Sequence, residues 1–194
     1  MKLLLISIFI ISNIFAQNGF TLVGGYNMSK IKYNDDDVAE NVDIDSKGTI
    51  NVGLETRSGN LILGGSFLQR GSQFEFSLMG YEFEGYDIYN YGAVHILYPT
   101  SLGEGFEGFG GIQAGLPLGG EVHIESGADD ETEDIDADEL SFDAGLLLGA
   151  NFMINEQFGL RASYYMGLTD VADGTNDDEN YKNNTLSFSV LINF

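Results

Sequence analysis

The stretch NNTLSFSVLINF, residues 183–194, closes the chain. Leu186, Phe188, Val190, Ile192 and Phe194 occupy every second position, with Ser187, Ser189, Leu191 and Asn193 between them. That period of two belongs to a strand with one face against an apolar phase. Chain termini usually fray into solvent. An alternation that runs to the last carboxylate and ends on an aromatic residue needs a neighbouring strand to hold it.

The same pattern recurs upstream. In GFTLVGGYNMS (19–29), Phe20, Leu22, Gly24, Tyr26 and Met28 alternate with smaller or polar residues. TINVGLETR (49–57), NLILGGSFLQR (60–70), DIYNYGAVHILY (87–98), FEGFGGIQAGLPL (106–118), SFDAGLLLGANFMI (141–154) and QFGLRASYYMG (157–167) follow. With the final stretch they make eight strand candidates. The connections alternate in length. RSGN (57–60), PTSLGEG (99–105) and INEQ (154–157) are short, and the segments near 31–48, 71–86, 119–140 and 169–183 are long. Tight turns at one end and long loops at the other describe an eight-stranded antiparallel up-and-down transmembrane β-barrel with four long extracellular loops. Strands of this length span a bilayer when tilted. An open sheet would leave edge groups unpaired in lipid, so the strands must close. The final strand then pairs with the first, and this is why it stays regular to Phe194.

The two faces have opposite chemistry. One is apolar and would meet lipid. The other carries Gly25, Asn27, Ser29, Asn51, Gly53, Gln113, Gly115, Asp143, Gly145, Asn151, Ser163, Ser187 and Ser189, and would line the lumen. A soluble ligand-carrying barrel has the reverse polarity.

Composition narrows the class further. The 194 residues include 30 acidic against 8 basic side chains, a formal net charge of −22, with 14 Phe, 10 Tyr and no Cys. Nucleic acid is excluded as a partner, because phosphate binding needs a basic face. Disulfides, thiolate metal sites and lipoprotein anchoring are excluded with cysteine. Residues 1–16, MKLLLISIFIISNIFA, have a positive start at Lys2, a short apolar run and a small residue at Ala16. This predicts a signal peptide over 1–16 and a mature barrel over 17–194, exported to the bacterial outer membrane.

Three stretches carry a family resemblance. TLVGGYNMSKI (21–31) resembles an opening strand, FLQRGSQF (67–74) resembles a strand end with Arg70 in place of Lys, and LRASYYMGLTDV (160–171) resembles a seventh strand entering a Gly-Leu-Thr turn. The chain resembles the small porin-like outer-membrane β-barrel domain family, PorT-like and OmpA-like in architecture. The usual Ile-Pro of the fourth strand is absent, and Tyr91-Gly92-Ala93 stands there. Phe194 is similar to the C-terminal aromatic residue that signals assembly in such barrels. The resemblance implies outer-membrane lipid, lipopolysaccharide and the barrel assembly machinery as partners.

Among chemical motifs, GEGFEG (103–108) fits the dinucleotide fingerprint but leads into a strand, so it reads as a turn. His123, near Glu121 and Glu125, is the candidate general base of a rim hydrolase, set against a solvated loop histidine. His95 alternates with Tyr91 and Ala93 and reads as lumen filler. The acidic runs YNDDDVAENVDIDS and GADDETEDIDADE would attract divalent cations. However, Asp134-x-Asp136-x-Asp138 has Glu139 where a calcium loop needs Gly and Gly145 where it needs Glu, so no metal ligands are assigned. On the inward face, Glu55, Arg57, Glu107 and Arg161 lie near the short-turn end, and Arg70 and Asp143 near the loop end. Buried charges must pair. Two layers of pairs would plug the lumen, whereas unpaired charges would line a small-solute pore. The reading is a structural or interaction protein with no catalysis and no cofactor, with the porin-like channel as the alternative.

Overall fold

The computed structural model describes residues 19–33, 42–78, 81–126, 129–171 and 181–194. The signal peptide predicted over 1–16 lies outside the described residues. Among the described residues nine strands follow one another: β1 (Thr21–Tyr33), β2 (Val42–Ser58), β3 (Leu61–Leu78), β4 (Tyr81–Gly103), β5 (Phe106–Ser126), β6 (Asp129–Ile135), β7 (Asp143–Met153), β8 (Phe158–Gly167) and β9 (Tyr181–Asn193). All pairings are antiparallel. Eight strands form a ring in the order β1-β2-β3-β4-β5-β7-β8-β9, and β9 returns to β1.

Closure follows from the alternation at the C-terminus. β1 and β9 pair from Thr21↔Asn193 to Tyr33↔Tyr181. Phe194 donates its backbone N–H to Phe20 O at 2.9 Å. Its ring stacks on Phe20 with centroids 4.8 Å apart. The terminal aromatic residue is thus built into the seam.

Short turns mark the periplasmic end. Gly59 and Gly105 take positive φ values of 59° and 75°, which glycine adopts without strain. Between β7 and β8, Asn155 Oδ1 accepts the backbone N–H groups of Gln157 and Phe158. This is the local capping of an Asx turn.

Facing follows the sequence pattern. Tyr26, Ile50, Val94, Ile112, Leu148, Leu160 and Phe188 are exposed on the outside, while Asn27, Thr49, Gln113, Asn151, Ser163 and Ser189 are buried inside. The fourth strand carries a register shift at Asn90/Tyr91, where Tyr91 meets Pro117 and Asn90 meets Gly119.

The outer side differs from the sequence reading in one respect. Segments 71–86 and 119–140 are largely continued strand rather than loop. β3 and β4 pair as far as Leu78↔Tyr81. β5 runs on to Ser126 and receives β6, from Gly120↔Ile135 to Ser126↔Asp129. β7 pairs with β5 only up to Gly115, so β6 takes the vacated edge above it. The residues 31–48 are likewise strand at both ends, to Tyr33 and from Val42. A five-stranded sheet, β2-β3-β4-β5-β6, therefore rises beyond the closed ring.

Candidate functional site

The lumen holds the residues most able to carry function. Inward positions on β2, β3, β4, β5, β7 and β8 bring charges together from distant parts of the chain. Near the periplasmic end, Arg161 donates from Nη1 and Nη2 to the two Glu55 oxygens at 2.5 and 2.8 Å. His95 Nε2 lies 2.9 Å from Glu55 Oε1, off the alignment of a hydrogen bond. Gly64 faces this imidazole across the β3–β4 pair, and a Cβ there would collide with the ring. Arg161 Nε donates to Asn151 Oδ1 at 2.8 Å, and Asn151 Nδ2 donates to Glu107 Oε1 at 3.0 Å. Arg57 completes the chain with a 2.6 Å bond to Glu107, but it is half exposed at the mouth. The Arg161 guanidinium also sits 4.9 Å from the Phe109 ring centroid.

A second layer lies nearer the outside. Arg70 donates from Nη1 to Asp143 and from Nη2 to Gln113 Oε1 at 2.6 Å. Asp143 also accepts Tyr165 OH at 2.6 Å and Asn183 Nδ2 at 2.9 Å. The guanidinium lies 3.4 Å from the Tyr165 ring centroid, a cation–π contact. Arg70 and Asp143 retain 3% and 1% of their exposure. Every charge in this layer is hydrogen-bonded, as buried charge requires.

Between the layers is a space of about 60 Å³ with Val23, Leu68 and Leu147 among its walls. Asn27, Asn51, Ser187 and Ser189 line it. Such a space holds a few waters, at roughly 10–15 Å³ each. On the periplasmic side the lumen widens to a vestibule of about 660 Å³ beneath Glu55 and Arg161.

Sequence reasoning placed Glu55, Arg57, Arg70, Glu107, Asp143 and Arg161 inside and grouped them by depth. It also placed Gln113 and Asn151 on the lumen face without tying them to a layer, and it did not find Tyr165 and Asn183. Their only signal is inward alternation beside a charged residue.

His123 lies elsewhere, on the outward face of β5 above the ring. Its Nδ1 is 2.9 Å from Thr132 Oγ1 and its Nε2 is 3.3 Å from Asp130 Oδ1. Its ring stacks on Tyr86 at 4.9 Å. On the same sheet face Asp43 stands opposite Glu75, Glu75 opposite Glu84, Glu84 opposite Glu125, and Glu125 opposite Asp130. Cross-strand partners share a face, so this is one row of carboxylates spaced about 4.8 Å per strand. Among the described residues no group of three or more His, Asp or Glu is gathered tightly enough to hold a metal ion.

A closed eight-strand ring with an apolar outside and a hydrogen-bonded polar inside is built for lipid. Residues 15–173 match the family model described as outer membrane protein beta-barrel domain. The chain belongs to that family. Its place is therefore the bacterial outer membrane. Neisserial surface protein A superposes with a TM-score of 0.54 at 14% identity, covering 91% of this chain and 97% of that one. Ail, the attachment invasion locus protein of Yersinia pestis, superposes with 0.53 at 18% identity, covering 92% and 100%. At these identities the likeness is one of fold. No curated protein sequence matches the chain.

Proposed function

We propose that this barrel is a non-catalytic, non-conducting outer-membrane protein with a structural or interaction role, exercised through the acidic sheet and loops on its outer side. The observation that carries the reading is the pair of lumen layers, Glu55–Arg161 and Arg70–Asp143. Each crosses the bore with hydrogen-bonded charges, and the space between them is only about 60 Å³. In this reading residues 1–16 are a signal peptide removed on export. Lipopolysaccharide surrounds the rim, and the barrel assembly machinery recognises the strand ending at Phe194. Divalent cations gather diffusely along the carboxylates, because a row spread over five strands offers no cage. The test is conductance of the refolded protein in a planar bilayer. Silent membranes support the reading, and steady unitary steps from the wild-type chain would establish the small-solute channel instead.

The hydrolase alternative has one observation in its favour, the alignment of Thr132, His123 and Asp130. It lies on an open sheet face, with Asp130 mostly exposed. Water there competes with every electrostatic contact that catalysis would need. Any esterase turnover unchanged by His123→Ala dismisses it.

A further inference from the structure

The basic residues of this acidic chain are distributed unevenly. Arg57, Arg70 and Arg161 are engaged in the lumen layers. Lys47 lies 3.3 Å over the Tyr86 ring. Apart from Lys2 in the leader, that leaves Lys30, Lys32 and Lys182, and all three sit together at the top of the closing seam. Lys32 is directly opposite Lys182, and Lys30 is opposite Asn184. Lys30 and Lys32 are exposed and Lys182 half-buried. None is paired with a carboxylate among the described residues.

Their height relative to the lipid is set by the outward residues below them. On β1 the outward series runs Tyr26, Met28, Lys30, Lys32, and on β9 it runs Val190, Phe188, Leu186, Asn184, Lys182. Met28 and Leu186, opposite each other, are the last exposed apolar residues on both strands. The next outward position lies about 7 Å further along each strand. That step crosses from acyl chains to headgroups, where lysine stems lie along apolar surface with the ammonium in the polar layer. A groove of about 400 Å³ runs there, with Met28, Tyr164 and Leu186 on its apolar wall and Lys30, Lys32 and Asn184 on its polar one. No carboxylate lines it. On the far side of the rim, by contrast, β3, β4 and β5 point Glu75, Glu84 and Glu125 outward. Like charges placed directly opposite destabilise a strand pair. An anion between Lys32 and Lys182 would reverse the sign of that contact.

We propose that Lys30, Lys32 and Lys182 form a docking site for the phosphate headgroup of an anionic glycolipid of the outer leaflet, with its acyl chains lying along Met28, Tyr164 and Leu186. The site rests on the outer-membrane location and not on whether the lumen conducts. It clamps the seam where the first and last strands meet, and it gives the rim a basic sector opposite its acidic one.

The test is native mass spectrometry of the full mature barrel released from detergent micelles doped with lipid A or with phosphatidylcholine. Wild type should retain lipid A in preference to phosphatidylcholine. Each of Lys30→Gln, Lys32→Gln and Lys182→Gln should weaken retention about fivefold, and the triple variant about a hundredfold. The triple Lys→Arg variant should retain it, and Lys47→Gln should behave as wild type. Heat-modifiable mobility shows that each variant is folded. Equal retention of lipid A by wild type and the folded single Gln variants would overturn the proposal. Equal retention of phosphatidylcholine, or displacement of lipid A by millimolar inorganic phosphate, would also overturn it, the latter by making the site one for free anions.

Discussion

Asp143 is the acceptor on which the outer lumen layer converges, and Asp143→Ala should be the most damaging single substitution in the barrel. The carboxylate takes hydrogen bonds from Arg70, Tyr165 and Asn183. Removing it strands a guanidinium that is 3% exposed, left with the 2.6 Å bond to Gln113 and the faces of the Tyr165 and Tyr91 rings. Breaking a buried ion pair from one side costs about 3–5 kcal/mol. Two neutral donors also lose their acceptor, each at about 1–3 kcal/mol if unreplaced. These terms overlap, so about 4–5 kcal/mol is the working figure. Arg70→Ala should cost less, about 3 kcal/mol, because the Asp143 carboxylate keeps two donors. The double variant Arg70→Met/Asp143→Leu should cost less than either single change, since it removes both charges and fills the space with apolar groups. The assay is equilibrium urea unfolding from phospholipid vesicles, followed by far-UV circular dichroism and by heat-modifiable mobility. A loss below about 1 kcal/mol for Asp143→Ala would place this layer in the range of an exposed pair. It would show that water already reaches the pair. Strict additivity of Arg70→Ala and Asp143→Ala in the double alanine variant would show that the two side chains do not meet.

Three further outcomes follow from the seam, the leader and the outer sheet. Deleting Phe194 should lower the yield of folded, heat-modifiable barrel more than Phe194→Tyr does, because tyrosine keeps both the stack on Phe20 and the terminal N–H bond; equal yields would remove Phe194 from assembly. Mass spectrometry of protein from the membrane fraction should find the mature chain starting at Gln17, and an intact Met1 there would refute export by cleavage. Glu84→Gln should stabilise the outer hairpins by about 0.2–1 kcal/mol by interrupting the carboxylate row between Glu75 and Glu125, read as slower amide exchange at Glu75 and Glu125; faster exchange would mean that the row is neutralised by bound cations.

The eight ring strands and their facing were legible because a bilayer imposes a strict local rule. Every second residue must satisfy lipid, so Leu186, Phe188 and Val190 declare a strand without reference to any other part of the chain. The ion pairs were legible only as a set. Arg161 reaches Glu55 across 106 positions of sequence and Arg70 reaches Asp143 across 73. Such contacts depend on strand tilt and stagger around the closed ring, which no single strand records. For the same reason Gln113 and Asn151 read only as lumen-facing residues with no layer assigned, and Tyr165 and Asn183 carry no signal of their own beyond inward alternation. Each is an ordinary inward polar residue until closure sets it beside a charge.

The outer sheet reads as loop from sequence because the rule there is inverted. On β3 the outward side changes from Leu61, Leu63 and Phe67 to Gln69, Gln73 and Glu75, while the inward side changes from Ser66, Arg70 and Ser72 to Phe74 and Phe76. On β4 the outward side likewise changes from Val94 and Ile96 to Glu84 and Glu82, and Phe83 turns inward to stack on Phe76 at 4.9 Å. The period of two never breaks, but its polarity reverses where water replaces lipid. A pattern averaged across that point looks featureless, and β6, with the sequence DDETEDI, has no apolar alternation at all. It is a strand because β5 offers it an unpaired edge above the last contact with β7 at Gly115. The reversal near Gln69 and Asn90, whose side chains bond each other at 3.0 Å, therefore marks the outer limit of the lipid on this side of the barrel. The step from Met28 to Lys30 marks it on the other. One boundary meets carboxylates and amides on β3 and β4 and ammonium groups on β1 and β9. A lipid shell with phosphates at that depth would be held at the seam and repelled at the sheet, leaving the acidic face open to partners in solution.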